Sequence, residues 1–311
     1  MRRVIIDTDT ASDDVVAIIM ALREPSIKVE AITVVAGNVT VDLASKNARI
    51  SVERANTYIP PVYKGVGKPF MRELFTSEFV HGKDGMGNMH LPEPKVTEDQ
   101  EHAVDAIIHL ITSNPGEIEV VTLGPLMNLA LAYLKEPRIA EMVKKVVIMG
   151  GAGLGPGNIT PVAEFNMYVD AEAASIVLQS GMPITMVGWD VCLGKTFLSK
   201  EDIEYLQQQN SPIADFCVRC NQSVEAFDEK RFGKRGFDLP DPTAMAVAIS
   251  DKIILKKYEA YAYVETKSEQ TYGQVIIDQH HLLEKHANVT ICEEVDAKRF
   301  KELLFKNIID C

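Results

Sequence analysis

Short, almost wholly apolar runs alternate with helix-period segments along the first two-thirds of the chain. VIID at 4–7 precedes DDVVAIIMAL, and EAITVVAG at 30–37 precedes LASKNARISVERA. The rhythm continues through IEVVTL at 118–123 with LMNLALAYL, KVVIMGG at 145–151 with AEAASIVLQ, and PITMVG at 183–188. Strand-like and helical runs in alternation build a parallel sheet with crossover helices. Strands that are apolar at nearly every position are covered on both faces. The pattern predicts an α/β fold with a mostly parallel, helix-flanked, Rossmann-like sheet, whose functional groups gather beyond the carboxyl ends of the strands.

After Ser199 the pattern becomes mainly helical, and from about residue 254 it reads as short strands (ILKKYEAYAYVE, GQVIID, NVTICEEV) and a final helix, AKRFKELLFKNII. These predict short antiparallel additions toward the C-terminus. With no internal repeat, low-complexity tract or linker, residues 1–311 are expected to form a single domain.

Composition narrows the class. Hydrophobic residues at 46% and charged residues at 24% suit a folded enzyme rather than a disordered chain. A net charge of -12 repels phosphate backbones and anionic lipid, so neither nucleic acid nor a membrane is an expected partner. The start, MRRVIIDTDT, meets aspartates before any apolar run long enough for a signal peptide or span, which points to the cytoplasm. Five cysteines (Cys192, Cys217, Cys220, Cys292, Cys311) at irregular spacing argue against a disulfide framework. Cys217 and Cys220 form a CxxC without a second Cys or His pair, so structural thiols are expected there.

The sharpest chemical signal is IIDTDTASDD, which sets Asp7, Asp9, Asp13 and Asp14 at the carboxyl end of the first strand. Capping and the helix dipole account for one or two of them. Four carboxylates together call for a cation or protons. Oxygen ligands without histidine or cysteine select Ca²⁺ or Mg²⁺ over zinc. An EF-hand is excluded, because the loop positions for Gly and Glu hold Ser12 and Ile18. Asp241 in LPDPTAMAVA and Leu123 in TLGPLMNLA point the same way, although an ordinary helix start and an ordinary turn explain each alone.

DTDTASDD, the AGN at 36–38, HGKDGMG at 81–87, LGPLMNLA, MGGAG with GNITPVAEFNMYVDAEAA, and PDPTAMA together resemble the nucleoside hydrolase family, in order and spacing, from residue 4 to about 250. The resemblance implies hydrolysis of the bond between ribose and base in ribonucleosides, and a homodimer or homotetramer. It also implies a Ca²⁺ held by Asp9, Asp14, Asp241 and the backbone carbonyl of Leu123. By the same carry-over, Asp13 and Asn38 bond the ribose hydroxyls. Asn158, Glu164 and Asn166 surround the sugar and its 5'-hydroxyl, and Met149 packs beneath the ring. A plainer account has Asn158 filling a turn after Gly157 and Asn166 capping a helix near Asp170.

Ribosyl hydrolysis passes through an oxocarbenium-like transition state. Under the resemblance, Asp9 is the general base, and Asn166 with Glu164 stabilises the cationic sugar. This chain departs from the family in one respect. Where many members carry histidine before the last metal aspartate, it has Pro240, which cannot transfer a proton. His81 in the HGKDGMG loop is the best remaining imidazole for the leaving base. Asp228, Lys230, Arg231 and Arg235 are weaker candidates for base contact, and His102 and His109 are assigned no function. Two alternatives remain. One is a non-catalytic nucleoside or ribose-binding protein. The other is a haloacid-dehalogenase-type phosphohydrolase, suggested by Asp7-Thr8-Asp9 but lacking a late aspartate pair. A dinucleotide site is excluded because the glycines from 150 to 157 do not fit GxGxxG.

Overall fold

A computed structural model describes residues 1–194, 196–233 and 235–310, apart from the side chain of Phe232. Cys311 lies outside the described residues. The strands are β1 (Arg2–Thr8), β2 (Ile27–Val34), β3 (Val62–Lys64), β4 (Ile118–Thr122), β5 (Lys145–Met149), β6 (Ile184–Val187), β7 (Leu198–Ser199), β8 (Gly236–Phe237), β9 (Ile254–Val264), β10 (Val275–Asp278) and β11 (Val289–Val295). The helices in the first half are α1 (Ser12–Arg23), α2 (Val41–Ala55), α3 (Glu78–His81), α4 (Ala103–Ser113), α5 (Met127–Lys135) and α6 (Ile139–Met142). Those in the second half are α7 (Phe165–Val169), α8 (Ala171–Leu178), α9 (Trp189–Cys192), α10 (Lys200–Gln208), α11 (Pro212–Cys220), α12 (Gln222–Phe232), α13 (Pro240–Ile249) and α14 (Ala297–Ile308).

One nine-stranded sheet runs in the order β10-β9-β11-β6-β5-β4-β1-β2-β3. Every pair from β3 across to β11 is parallel. The C-terminal strands refine the expectation. β11 joins β6 in parallel, and only β9, which pairs with β10 and β11, is antiparallel to its neighbours. At eleven residues β9 is also long, and its first half is more exposed than its second.

The strands are apolar on both faces because each face has its own core. Val4 and Ile6 join Val121 and Val147 in one cluster with α1, α2, α13 and α14. Ile5 joins Val120, Val146 and Ile148 in the other, with α4, α5 and α8. Successive strand side chains point to opposite faces, so a run such as Val4-Ile5-Ile6 feeds both cores. Each such aliphatic side chain contributes about 1.5–3 kcal/mol on burial. Helix starts follow local chemistry: Ser199 and Asp202 form a capping box on α10, and Ser211 with Pro212 opens α11. Among the described residues no helix is long and apolar enough to cross a membrane.

From β1 the chain winds one way through β2 and β3, then returns to β4 on the other side of β1. The carboxyl ends of β1 and β4 therefore form the topological switch point, where doubly wound sheets open a crevice.

Candidate active site

Asp9 follows the last residue of β1, and Leu123 follows the last residue of β4. The two ends are tied by Leu123 N–H donating to the Asp7 carbonyl over 2.7 Å. Asp9 is fully buried. Its Oδ2 accepts from the backbone N–H of Asn38 at 2.6 Å, while Oδ1 has no hydrogen-bond partner. Asp14 accepts from the Thr8 hydroxyl at 2.5 Å and from the Ala11 backbone N–H at 2.9 Å, the second bond serving as an N-terminal cap on α1. Asp13, Asp14 and Asp241 each bring a carboxylate oxygen within 4.8 Å of the others.

Burial, reinforced by Asp14, pushes the Asp9 carboxyl well above the usual range. Burial with repulsion from Asp13 does the same to Asp241 and raises Asp14 to about 7. Asp14 and Asp241 also act on each other, in a sense that favours the ionised form of Asp14 and the protonated form of Asp241. Carboxyls crowded this way hold protons or a cation, because uncompensated buried charge is costly. The donor set is all oxygen and includes one orphaned oxygen at Asp9, which fits a hard divalent ion. Asp9, Asp14 and Asp241, with the Leu123 carbonyl, are the residues positioned to hold it.

Two glycines let the backbone close on Asp9. A Cβ at Gly37 would sit 2.1 Å from Asp9 Oδ2, and one at Gly124 would sit 2.6 Å from Oδ1. Asp7, by contrast, separates from the acidic group. Its Oδ1 accepts from Thr33 Oγ1 at 2.6 Å and Asn128 Nδ2 at 2.8 Å, binding β1 to β2 and α5. Burial raises it to about 7. Asp7 is structural, so the cation argument narrows from four neighbouring aspartates to three, joined by Asp241 from α13.

The wall beside Leu123 is built by the segment after β5. Asn166 Nδ2 donates to the Leu123 carbonyl at 2.8 Å, and lies 3.3 Å from the Met149 carbonyl and 3.4 Å from Met149 Sδ. Glu164 caps α7 and accepts from the backbone N–H groups of Gly151, Asn166 and Met167. Burial outweighs those three bonds and raises Glu164 to about 7. Asp170, not Asn166, caps α8. Asn158 does brace its turn, with Oδ1 accepting from Phe165 N–H at 2.8 Å, and it lines the cavity as well.

Above these groups opens a cleft of about 810 Å³ when its open, solvent-filled part is counted. Asp13, Asn38, Leu123, Met149, Asn158, Glu164, Asn166 and Asp241 all line it, whereas Asp9 and Asp14 are fully buried and do not. His81 lines it from the end of α3. Its Nδ1 meets Ser12 Oγ at 2.5 Å and Asp13 Oδ1 at 4.0 Å. Burial lowers the His81 pKa, with Asp13 opposing. Asp228 and Arg231 reach the cleft, whereas Arg235 pairs with Glu229 at the surface.

Sequence reasoning missed Ser77, Phe79, Ile159, Trp189, Phe227 and Asp238, which also line the cleft. Only their closeness to the singled-out segments could have suggested them. Elsewhere, His102 caps α4 and His109 is exposed beside Glu101. The four described cysteines are buried free thiols, and burial pushes Cys217 up to about 12.

Residues 4–302 match the family model for inosine-uridine preferring nucleoside hydrolase. The chain belongs to that family. This nucleoside hydrolase is 35% identical over 306 residues to the pyrimidine-specific ribonucleoside hydrolase RihA of Salmonella arizonae, covering 98% of this chain and 97% of the relative. It superposes on a plant nucleoside hydrolase, the PpNRh1 enzyme, with a TM-score of 0.95 at 29% identity, covering 100% of this chain and 99% of the other. The purine-preferring ribonucleoside hydrolase from Gardnerella vaginalis follows with a TM-score of 0.92 at 29% identity, covering 99% of this chain and 98% of the other. The hydrolase acts on N-glycosyl bonds of ribonucleosides, which removes the phosphohydrolase and non-catalytic alternatives. The named relatives differ in base preference, so none of them supplies it for this enzyme.

Proposed function

We propose that this hydrolase is a calcium-dependent ribonucleoside N-ribohydrolase of nucleoside salvage, acting in the cytoplasm as a homodimer or homotetramer. The observation that carries the calcium reading is the orphaned, fully buried Oδ1 of Asp9 beside the crowded carboxyls of Asp14 and Asp241. A bound calcium would lower the pKa of a coordinated water and leave sites for the ribose hydroxyls. Asp9 would accept the proton of the attacking water, a role suited to a carboxylate fixed by the Asn38 N–H on one oxygen only.

The remaining residues bind and orient the sugar. Asp13 and Asn38 would take the ribose hydroxyls, and the Ser77 hydroxyl, donating to Asn38 Oδ1 at 2.5 Å, holds that amide in place. Met149 would underlie the ring. Glu164, Asn158 and Asn166 would bond its 5'-hydroxyl side, and the Asn166 amide would stabilise the cationic sugar. His81 would face the departing base, with Ser12 fixing its ring.

The test is reducing-sugar release from a ribonucleoside panel with calcium and after chelation, alongside Asp9→Ala. The expected result is calcium-restored release that the substitution abolishes. Release unaffected by chelation would refute the calcium reading.

A further inference from the structure

One charged oxygen in the cleft is used neither by the acidic floor nor by the sugar wall. Asp228, on α12, lines the cleft and is 5% exposed. The backbone N–H of Asp238 favours its ionised form, yet Oδ2 is buried with no hydrogen-bond partner. A buried carboxylate oxygen without a partner carries a desolvation cost that a ligand donor would offset.

The surroundings describe that ligand. The Phe227 ring, on the same helix, lies 6.0 Å from that of Phe79 on α3. With Trp189 and Ile159 they give the outer cleft an apolar wall suited to a planar ring. Asp13, Asn38 and Asn166 occupy the strand-end side of the same cleft, and Asp228 the α12 side. A nucleoside with its sugar on the strand ends would turn the edge of its base toward α12. Arg231, further along α12, donates to the Asn158 carbonyl at 3.2 Å, and its charge favours ionised Asp228. Burial holds Asp228 at about 6, so at neutral pH it is an acceptor.

We propose that Asp228 Oδ2 is a specificity determinant that accepts a hydrogen bond from an N–H on the base edge, favouring bases with that donor over those with a ring-nitrogen lone pair. This rests on the ribohydrolase reading above. Asp228→Asn gives a nearly isosteric test, because the amide removes the charge and puts an NH₂ donor in place of one carboxylate oxygen. Asp228→Ala removes the group.

The experiment measures kcat/KM on two matched pairs, inosine against purine riboside and uridine against 2-pyrimidinone riboside. Each variant's fold is checked by its melting temperature with calcium. In the accepted pair, the ratio of donor-bearing to donor-lacking substrate should fall about 10- to 100-fold in Asp228→Ala, the range for losing a charged hydrogen bond. It should fall in Asp228→Asn as well, where the charge is gone. A ratio unchanged from wild type in both variants, including an equal loss on both substrates, would overturn the proposal. A wild-type enzyme inactive on all four nucleosides would instead break the ribohydrolase reading, and the proposal would fall with it.

Discussion

The side-chain amide of Asn166 donates to the backbone carbonyl of Leu123 over 2.8 Å, joining the segment after β5 to the end of β4. A carbonyl oxygen has two lone pairs, so this bond aims the carbonyl without exhausting it. The group proposed to hold the cation and the group proposed to stabilise the sugar are thus mechanically one unit. Asn166→Leu should therefore lower both calcium affinity and turnover. Unfolding should show a loss of about 1–3 kcal/mol, as for a buried acceptor left unpaired. Calcium titration by calorimetry checks the coupling, and unchanged affinity would separate the two roles.

Stability without calcium should fall as pH rises. Asp14 and Glu164 are raised to about 7, and Asp9 and Asp241 in the same direction. A carboxyl whose pKa is higher folded than unfolded keeps its proton in the native state, so ionisation opposes folding. The loss should begin at about pH 4, where unfolded carboxyls titrate, and continue through pH 7, about where Asp14 and Glu164 ionise in the folded protein. Calcium replaces protons, so its stabilising effect should grow across that window. Melting curves with chelator and with calcium test this, and a calcium effect of constant size would contradict it.

Asp9→Asn preserves an acceptor for the Asn38 N–H but removes the charge. Turnover should drop by at least about 100-fold, the scale of a lost general base. The calcium-free protein should melt at a higher temperature than wild type at neutral pH, because an amide avoids the cost of taking up a proton or burying a charge on folding. An active variant would remove Asp9 from the chemistry.

Gly37→Ala places a methyl 2.1 Å from Asp9 Oδ2. No small adjustment relieves that contact, since Gly124 closes the other side of the carboxylate. The expected outcome is a folded protein with calcium binding and hydrolysis both lost, measured by circular dichroism and sugar release. Retained activity would mean that Asp9 can move without consequence.

Ser12→Ala frees the His81 ring from its 2.5 Å partner. If His81 assists the departing base, kcat should fall on nucleosides but not on a p-nitrophenyl riboside, whose leaving group departs without a proton. Equal loss on both would limit Ser12 and His81 to a structural or sugar-binding role.

The alternation of apolar runs and helical segments was enough to place the sheet, because strands covered on both faces are written as continuous hydrophobic stretches. Asp13 and Asp14 were legible as a helix start and Asp241 as another. Their convergence came only through the family resemblance and not from local pattern, since α1 and α13 are far apart in sequence and meet by packing. The β11 direction was similarly hidden. A strand's own residues do not state whether its neighbour, here β6, runs with it or against it.

By itself the sequence determined the α/β architecture, the oxygen-rich chemistry at the end of the first strand, and a proline, Pro240, directly before Asp241. Only the tertiary structure separated Asp7 from Asp9. Asp7 points with Ile5 toward the α5 side, where Asn128 and Thr33 hold its Oδ1, while Asp9 lies just past the strand, where two glycines let the backbone approach it. It also decided that Ser12 meets His81 and that Asp228 keeps one oxygen unpaired in the cleft. The physical reason is range. Periodicity and charge are local properties of the chain, whereas hydrogen-bond satisfaction depends on partners tens or hundreds of residues away.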